Sequence, residues 1–402
     1  MTMRTFLGAK ALHRSRRALW QAPLVAALLF GCNQGPAAAQ GDPAARRVTD
    51  VPFQVAEVAD FGQPWAIDFL PGSGVRLTPV ALVTEKSGEL WLVDVRNGSR
   101  KAVAGAPRAK VAGQGGLGDV VVHPDFAANR RVYISFVEPG EGGTSGAALG
   151  YGTLNLAAQP RIEGFKVIWR QNPKVEGDGH FSHRMAFGPD GFLYLTSGDR
   201  QKFDPAQDLG GNLGKVLRLT AEGQPAPGNP WARRGGVTRE FWSIGHRNAL
   251  GLDFAPDGRL WAVEMGPRHG DELNLIVAGR NYGWPRASMG SHYDGKDIPD
   301  HKPGDGFEPP KSYWDPAISP GGMIIYDGTL FKGWKGDAIV GGLSGQSLSH
   351  VDIAGDRVVA RHDFPMKARI RAVEEGPDGA IYVLEDGGRG SAGRLLRLTP
   401  AK

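Results

Sequence analysis

Short apolar runs recur along this chain in pairs, and each pair is joined by a polar or glycine-rich turn. Val80-Ala81-Leu82-Val83-Thr84 is followed by Lys86-Ser87-Gly88 and then by Leu90-Trp91-Leu92-Val93. Val120-Val121-Val122-His123 pairs in the same way with Val132-Tyr133-Ile134-Ser135, and Met185-Ala186-Phe187 with Phe192-Leu193-Tyr194-Leu195. Further on, Leu252-Asp253-Phe254 precedes Leu260-Trp261-Ala262-Val263, Met323-Ile324-Ile325-Tyr326 precedes Ala338-Ile339-Val340, and Arg371-Ala372-Val373 precedes Ala380-Ile381-Tyr382-Val383. Three of the turns share a Pro-Asp-Gly core, at Gly188-Pro189-Asp190-Gly191, Ala255-Pro256-Asp257-Gly258 and Gly376-Pro377-Asp378-Gly379. Short strands around Asp-Gly turns are hairpins. The turns near Asp125, Asp190, Asp257, Asp327 and Asp378 recur every 50 to 70 residues or so, and with the first hairpin near Ser87 they make six units. A four-stranded blade needs only about 40 residues, so the surplus forms loops on a face. The pattern predicts an all-β fold, a six-bladed β-propeller of four-stranded antiparallel blades. A pair of β-sandwiches fits the wide spacing less well.

The propeller is expected over residues 49–402 as a single domain. Residues 1–31 differ in kind: Arg4, Lys10, Arg14, Arg16 and Arg17 precede the apolar run Ala22 to Phe30, and no acid interrupts. That is the layout of an export signal, too short in its apolar part to span a bilayer as a helix. It ends Leu29-Phe30-Gly31-Cys32, a small residue before the chain's only cysteine, which resembles a lipoprotein processing site. The expectation is a protein of the periplasm or cell envelope, tethered through a lipid anchor at Cys32; the competing reading is ordinary cleavage near Ala37 to Ala39. Residues 32–48, rich in Gly, Ala, Pro and Gln, read as a flexible leader.

Removing the signal changes the charge. The chain has 47 Lys and Arg against 42 Asp and Glu, and the five basic residues just named account for the excess. The mature chain is near neutral, without the basic footprint that nucleic-acid binding needs. One cysteine excludes an internal disulfide and a thiolate metal cluster. Gly113-Gln114-Gly115-Gly116-Leu117-Gly118 satisfies the dinucleotide pattern but runs into a strand, so it offers no helix N-terminus for a pyrophosphate.

Chemistry concentrates between the turns. Gly177-Asp178-Gly179-His180-Phe181-Ser182-His183-Arg184 places two histidines in a loop feeding a core strand, and a neutral histidine there can act as a general base. Gly245-His246-Arg247-Asn248 and Glu264-Met265-Gly266-Pro267-Arg268-His269-Gly270-Asp271-Glu272, followed by Asn274, form further clusters; glycines and carbonyls near acids in the latter can make an oxygen cage for calcium, though not with EF-hand spacing. In Arg369-Ile370-Arg371, strand alternation puts two guanidiniums on one side. That pairing suits a ligand with several carboxylates, or else salt bridges to neighbouring acids.

These landmarks, in order with Gly62-Gln63-Pro64-Trp65, His123-Pro124-Asp125-Phe126, Gly198-Asp199, Gly210 to Arg218, Asp271-Glu272-Leu273-Asn274 and Asn281-Tyr282-Gly283-Trp284-Pro285, resemble the soluble quinoprotein sugar dehydrogenases, the glucose/sorbosone dehydrogenase family, in its aldose sugar branch. The resemblance runs from about Pro64 to Leu398. It implies a six-bladed propeller that uses pyrroloquinoline quinone (PQQ) and Ca2+ to oxidise an aldose at the anomeric carbon to a lactone. His180 resembles the base that takes the hydroxyl proton, and Gln114 a polar residue beside the reaction centre. Arg247 and Asn248 resemble quinone contacts, with Arg247 stabilising developing negative charge. Arg369 and Arg371 resemble the clamp on the PQQ carboxylates, and Gly266 and Pro267 the backbone carbonyls that ligate calcium. An external acceptor (quinone, cytochrome or dye) would take the electrons. The chain departs from the family pattern at Gly179, His183, Met185, Ser344 and Ala372. A calcium-dependent lactonase and a non-catalytic ligand-binding propeller are the alternatives; the paired arginines count against the first and His180 against the second.

Overall fold

Five of the six expected hairpins form the two innermost strands of a four-stranded antiparallel blade, the first (Val80–Glu85 with Leu90–Asp94) forms the second and third strands of its blade, and six blades stand around one axis. The structure is a computed structural model that describes residues 50–72 and 79–401 and the backbone of Arg46–Arg47. The export signal, Cys32 and most of the leader lie outside the described residues.

Blade I runs Pro64–Phe69, Val80–Glu85, Leu90–Asp94 and Ser99–Ala102 from the axis outward. Blade II begins at Leu117–Val122, blade III at Ser182–Phe187, blade IV at Ala249–Phe254 and blade V at Pro320–Ile325. Blade VI takes three strands from the end of the chain, Ile370–Glu375, Ile381–Glu385 and Arg394–Pro400. Its outermost strand, Phe53–Asp60, comes from the start, pairing Phe53 with Pro400 and Asp60 with Arg394. The ring is therefore closed by backbone hydrogen bonds between the two ends of the domain. Arg46–Arg47 pair in parallel with His362 and Asp363 on the outer edge of blade V.

Strand alternation sends successive side chains to opposite blade faces. In blade II, Ile134 packs toward blade I with Leu82 and Leu117, while Tyr133 packs toward blade III with Leu193 and Leu217. Every neighbouring pair of blades shares such a cluster. This is why the inner strands read as continuous apolar runs: they are covered on both faces. The Gly113–Gly118 motif leads into the strand Leu117–Val122, in agreement with its reading as a strand approach.

All six innermost strands carry a bulge near their first residues, at Pro64/Ala66, Leu117/Val120, Ser182/Met185, Ala249/Gly251, Pro320/Gly322 and Ile370/Ala372. A bulge bends its strand and re-aims a side chain. Six of them at the same end of the ring splay the strand starts around one mouth of the axis.

Just below that mouth lies Arg184, whose residue is 8% exposed. Its Nη1 donates to Asp119 Oδ1 of blade II at 2.9 Å, its Nε to the Leu250 carbonyl of blade IV at 2.7 Å, and its Nη2 to the Gly321 carbonyl of blade V at 2.8 Å. A weaker bond reaches the Arg371 carbonyl of blade VI at 3.4 Å, and the guanidinium sits 4.0 Å from the centre of the Trp65 ring of blade I. One blade III side chain thus touches all the other five. Replacing it by methionine keeps the volume but strands Asp119 in the interior. Arg184→Met is expected to cost about 3–5 kcal/mol in urea unfolding followed by tryptophan fluorescence. A loss below about 1 kcal/mol would mean that the axis is held by blade packing alone.

Candidate active site

The splayed strand starts open a cleft of about 490 Å3, lined from all six blades. His180, Gln114, Arg247, Asn248, Arg369 and Arg371 all line it, so the structure brings together residues more than 250 positions apart. A second hollow of about 380 Å3 adjoins it and shares His180, Arg247 and Tyr293; Pro267 lines this one.

His180 sits in a left-handed backbone conformation (φ 48°), with Ser182 and His183 also at positive φ. For residues other than glycine this is strained and needs outside support. The support is specific. Gln114 Oε1 accepts from the His180 backbone N–H at 2.7 Å, and the Gln114 N–H donates to the Asp178 carbonyl at 2.7 Å. Arg200, stacked 3.8 Å from the Phe181 ring centre, donates to the carbonyls of Gly179, Ser145 and Gly177. Gln114 is therefore a positioning residue for the His180 backbone as well as part of the cleft wall.

The imidazole is fixed from behind. Asp199 Oδ1 lies 2.7 Å from His180 Nδ1, and the other carboxylate oxygen accepts from Trp284 Nε1 at 2.8 Å. With Nδ1–H donated to Asp199, Nε2 is left as the acceptor. Burial pushes the His180 pKa below its ordinary 6.5, and the Asp199 hydrogen bond opposes that shift without cancelling it. The ring is neutral near pH 7, the state a base requires.

Arg247 donates from Nη1 to the Met265 carbonyl at 3.0 Å and from Nη2 to the Tyr293 hydroxyl at 3.3 Å, while its buried Nε has no partner among the described residues. An orphan donor on a buried cation beside His180 can meet an anionic oxygen. Asn248 Oδ1 accepts from Ser182 Oγ at 3.0 Å. The Gly266 and Pro267 carbonyls accept no hydrogen bond among the described residues, which keeps them available as cation ligands.

Arg369 and Arg371 converge on one acid absent from the sequence reading. Asp386 accepts from Arg369 Nε at 2.9 Å and from Arg371 Nε and Nη2 at 2.8 and 2.6 Å. The salt-bridge reading is thus met: one carboxylate holds three donors and, among the described residues, leaves the two Nη groups of Arg369 and Nη1 of Arg371 without a hydrogen-bond partner. Burial pushes Asp386 up, but Arg371 and Arg369 bring it below the usual carboxylate range. Lys86, also in the cleft, donates to the Gly113 carbonyl at 2.5 Å. Burial lowers its pKa, and Arg371 adds to the effect.

The departures have physical counterparts. A Cβ on Gly179 would stand 2.5 Å from Gln201 Oε1, so Gln201 fills the space an aspartate would need. His183 is buried, stacked on Trp65 at 5.0 Å, with Ser135 Oγ 2.7 Å from its Nδ1. Burial drives its pKa down to about 3, so this second ring is structural and uncharged. Ala372 packs in the apolar cluster between blades VI and I, and Asp386 supplies the acid that residue 372 does not. Ser344 lines the cleft and donates to the Ala317 carbonyl at 3.2 Å.

The family described as glucose/sorbosone dehydrogenase matches residues 61–397. This chain belongs to that family. It is 37% identical to the aldose sugar dehydrogenase YliI of Escherichia coli over 343 residues, covering 84% of this chain and 90% of the relative. The solved apo-form of the soluble aldose sugar dehydrogenase from E. coli superposes with a TM-score of 0.81 at 36% identity, covering 87% of this chain and 100% of that one. The PQQ-bound aldose sugar dehydrogenase of Streptomyces coelicolor superposes at 0.72 with 28% identity, covering 88% and 99%. The protein is accordingly a sugar dehydrogenase.

Gly118 tests the packing around His183 in this dehydrogenase. A Cβ there would stand 1.9 Å from His183 Cε1. Gly118→Ala should lower stability by about 1–3 kcal/mol, and the double variant with His183→Gly should regain most of it. A double-mutant thermal melt with purely additive losses would show that His183 does not set the limit at residue 118.

Proposed function

We propose that this dehydrogenase oxidises aldoses at the anomeric carbon to lactones in a PQQ- and calcium-dependent reaction, with His180 as the base. The observation that carries the reading is the buried His180–Asp199 pair set beside an orphan Arg247 donor and a three-cation wall. PQQ is a polycarboxylate, and Arg369, Arg371 and Lys86 offer it cations of matching sign, with Asp386 holding both guanidiniums in place. The Gly266 and Pro267 carbonyls would hold the calcium ion, an all-oxygen contribution of the kind calcium takes. When bound, PQQ supplies a two-electron acceptor, and calcium supplies Lewis-acid polarisation.

The chain's own residues then have defined tasks. His180 Nε2 takes the anomeric hydroxyl proton, and the Asp199 carboxylate holds the ring in the tautomer that can accept it. Arg247 meets negative charge developing on oxygen with a cation already in position, at no reorganisation cost. Trp284, through Asp199, fixes the ring plane. Electrons leave to an external acceptor of quinone, cytochrome or dye type. Export through residues 1–31 and a lipid at Cys32 are supported by the sequence pattern, and no helix among the described residues is long and apolar enough to cross a membrane.

The test is reconstitution of the purified, PQQ-free protein with PQQ and calcium, followed by dye reduction with several aldoses. His180→Ala should bind PQQ with unchanged affinity in an absorbance titration while losing at least about 100-fold in turnover. Full retention of rate would exclude His180 as the base. Calcium removal by a chelator should abolish dye reduction, with recovery on adding calcium back.

The pH dependence follows from the direction of the His180 shift. The neutral ring is the active form and its pKa is lowered, so kcat/KM should hold down through pH 6.5 and fall only at more acid values. Asp199 raises that pKa, so Asp199→Asn should move the acid limb still lower as well as reduce kcat. A limb that moves to higher pH would contradict the assignment.

A further inference from the structure

Blade V carries a cluster that the reaction does not use. Asp337, His350 and Asp352 each place one donor atom within 4.8 Å of the others. His350 and Asp337 are both 7% exposed. His350 Nε2 lies 2.9 Å from Asp337 Oδ2 and 3.1 Å from Asp352 Oδ1. A ring nitrogen carries at most one hydrogen. Nε2 is bonded to Asp337, and Asp352 Oδ1 is left buried with no hydrogen-bond partner among the described residues. A second imidazole stands alongside: His362 Nε2 is 3.9 Å from Asp352 Oδ2, and its ring is 5.9 Å from that of His350.

The backbone fixes this arrangement. His350 and His362 are directly opposite in the ladder between Ser347–Ala354 and Arg357–Pro365. Asp352 lies two residues beyond His350, on the same face. Asp337 is held by the Ile353 N–H, which donates to its other oxygen at 2.9 Å. Trp334 stacks on the His350 ring at 4.2 Å. Such supports are what orient metal ligands.

We infer that blade V holds one divalent transition-metal ion of the zinc class, through His350 Nε2, Asp337 and Asp352, with His362 as the fourth ligand. Tetrahedral bonds of 2.0–2.1 Å put neighbouring donor atoms about 3.3 Å apart, so separations of 2.9 and 3.1 Å need little opening. Two imidazoles and two carboxylates suit zinc or a similar metal, and calcium poorly, since it takes six to eight oxygens. The ion would tie together three successive strands of the blade, because Asp337 immediately precedes Ala338–Gly342 and the other ligands sit on the next two strands. It lies on different residues from the calcium proposed at Gly266 and Pro267.

The test uses the full mature chain, stripped with chelator and desalted, then given zinc sulfate or calcium chloride. The expected result is about one zinc retained per chain after gel filtration, measured by elemental analysis, and a melting temperature that rises with zinc concentration. Both effects should vanish in His350→Gln and in the near-isosteric Asp352→Asn, whose dye reduction after reconstitution with PQQ and calcium should stay within about two-fold of the parent. The proposal is overturned if the parent retains no more zinc than Asp352→Asn, or if the zinc-dependent rise persists in both variants. It is equally overturned if calcium gives the same rise and the two variants abolish it.

Discussion

The buried guanidinium of Arg184 is the constraint on which the centre of this propeller depends. A cation removed from water must have its donors satisfied, or the chain pays several kcal/mol. Arg184 meets that requirement with Asp119 and with main-chain carbonyls of blades IV, V and VI, its ring face covered by Trp65. Those carbonyls belong to Leu250, Gly321 and Arg371, each within two residues of a cleft-lining residue or lining the cleft itself. Asp119 also accepts the Met185 N–H at 2.8 Å, so the same acid fixes the start of the strand that follows the base. Fixing one side chain at the axis therefore fixes where five bulged strand starts stand relative to one another. The interblade clusters supply most of the burial energy, but they are non-directional. The hydrogen bonds at Arg184 are directional, and the active site inherits their geometry.

The charge of the cleft is organised by the same economy. Arg247, Arg369, Arg371 and Lys86 outnumber the acids that face them, although the mature chain as a whole is near neutral. Asp386 shows how such a concentration is tolerated. It bonds the Nε of both clamp arginines and still leaves donors over, so the guanidiniums are oriented without being consumed. Asp199 does the corresponding work for His180, using one oxygen for its ring and the other for Trp284. In each case both oxygens of a carboxylate are occupied on the protein side, and the group it holds presents its remaining valence to the cleft.

What could be read from sequence follows from these facts. The inner hairpins were legible because both faces of each blade are buried, which gives continuous apolar runs of strand length. The closing strand Phe53–Asp60 was not, because only Phe53 in it is buried and its pattern is that of an exposed edge. His180 and Arg247 stood out as polar groups interrupting glycine-bearing loops, and Arg369 and Arg371 as two cations alternating along a strand. Asp199 and Asp386 did not stand out as partners, since a hydrogen bond across a blade leaves no local spacing signal. Gly-Asp at Gly198-Asp199 was visible as a landmark, yet only the three-dimensional ring shows that its carboxylate faces the base. Lys86 looked like an ordinary turn residue for the same reason.

The departures around the base also become intelligible as one linked change rather than several. His183 needs the volume that Gly118 leaves open, and its ring lies flat on Trp65. Trp65 in turn covers the guanidinium of the residue next to His183. A bulky side chain at residue 183 is thus coupled to the axial pin through one indole. Its very low pKa keeps it uncharged near neutral pH, so a second imidazole there does not duplicate the role proposed for His180. Gly179 and Gln201 form a second linked pair on the opposite side of the base, where the amide occupies the space beside the glycine. Substitutions that look independent in the sequence are compensated through contacts, and the contacts all run through the ring of strand starts that Arg184 holds.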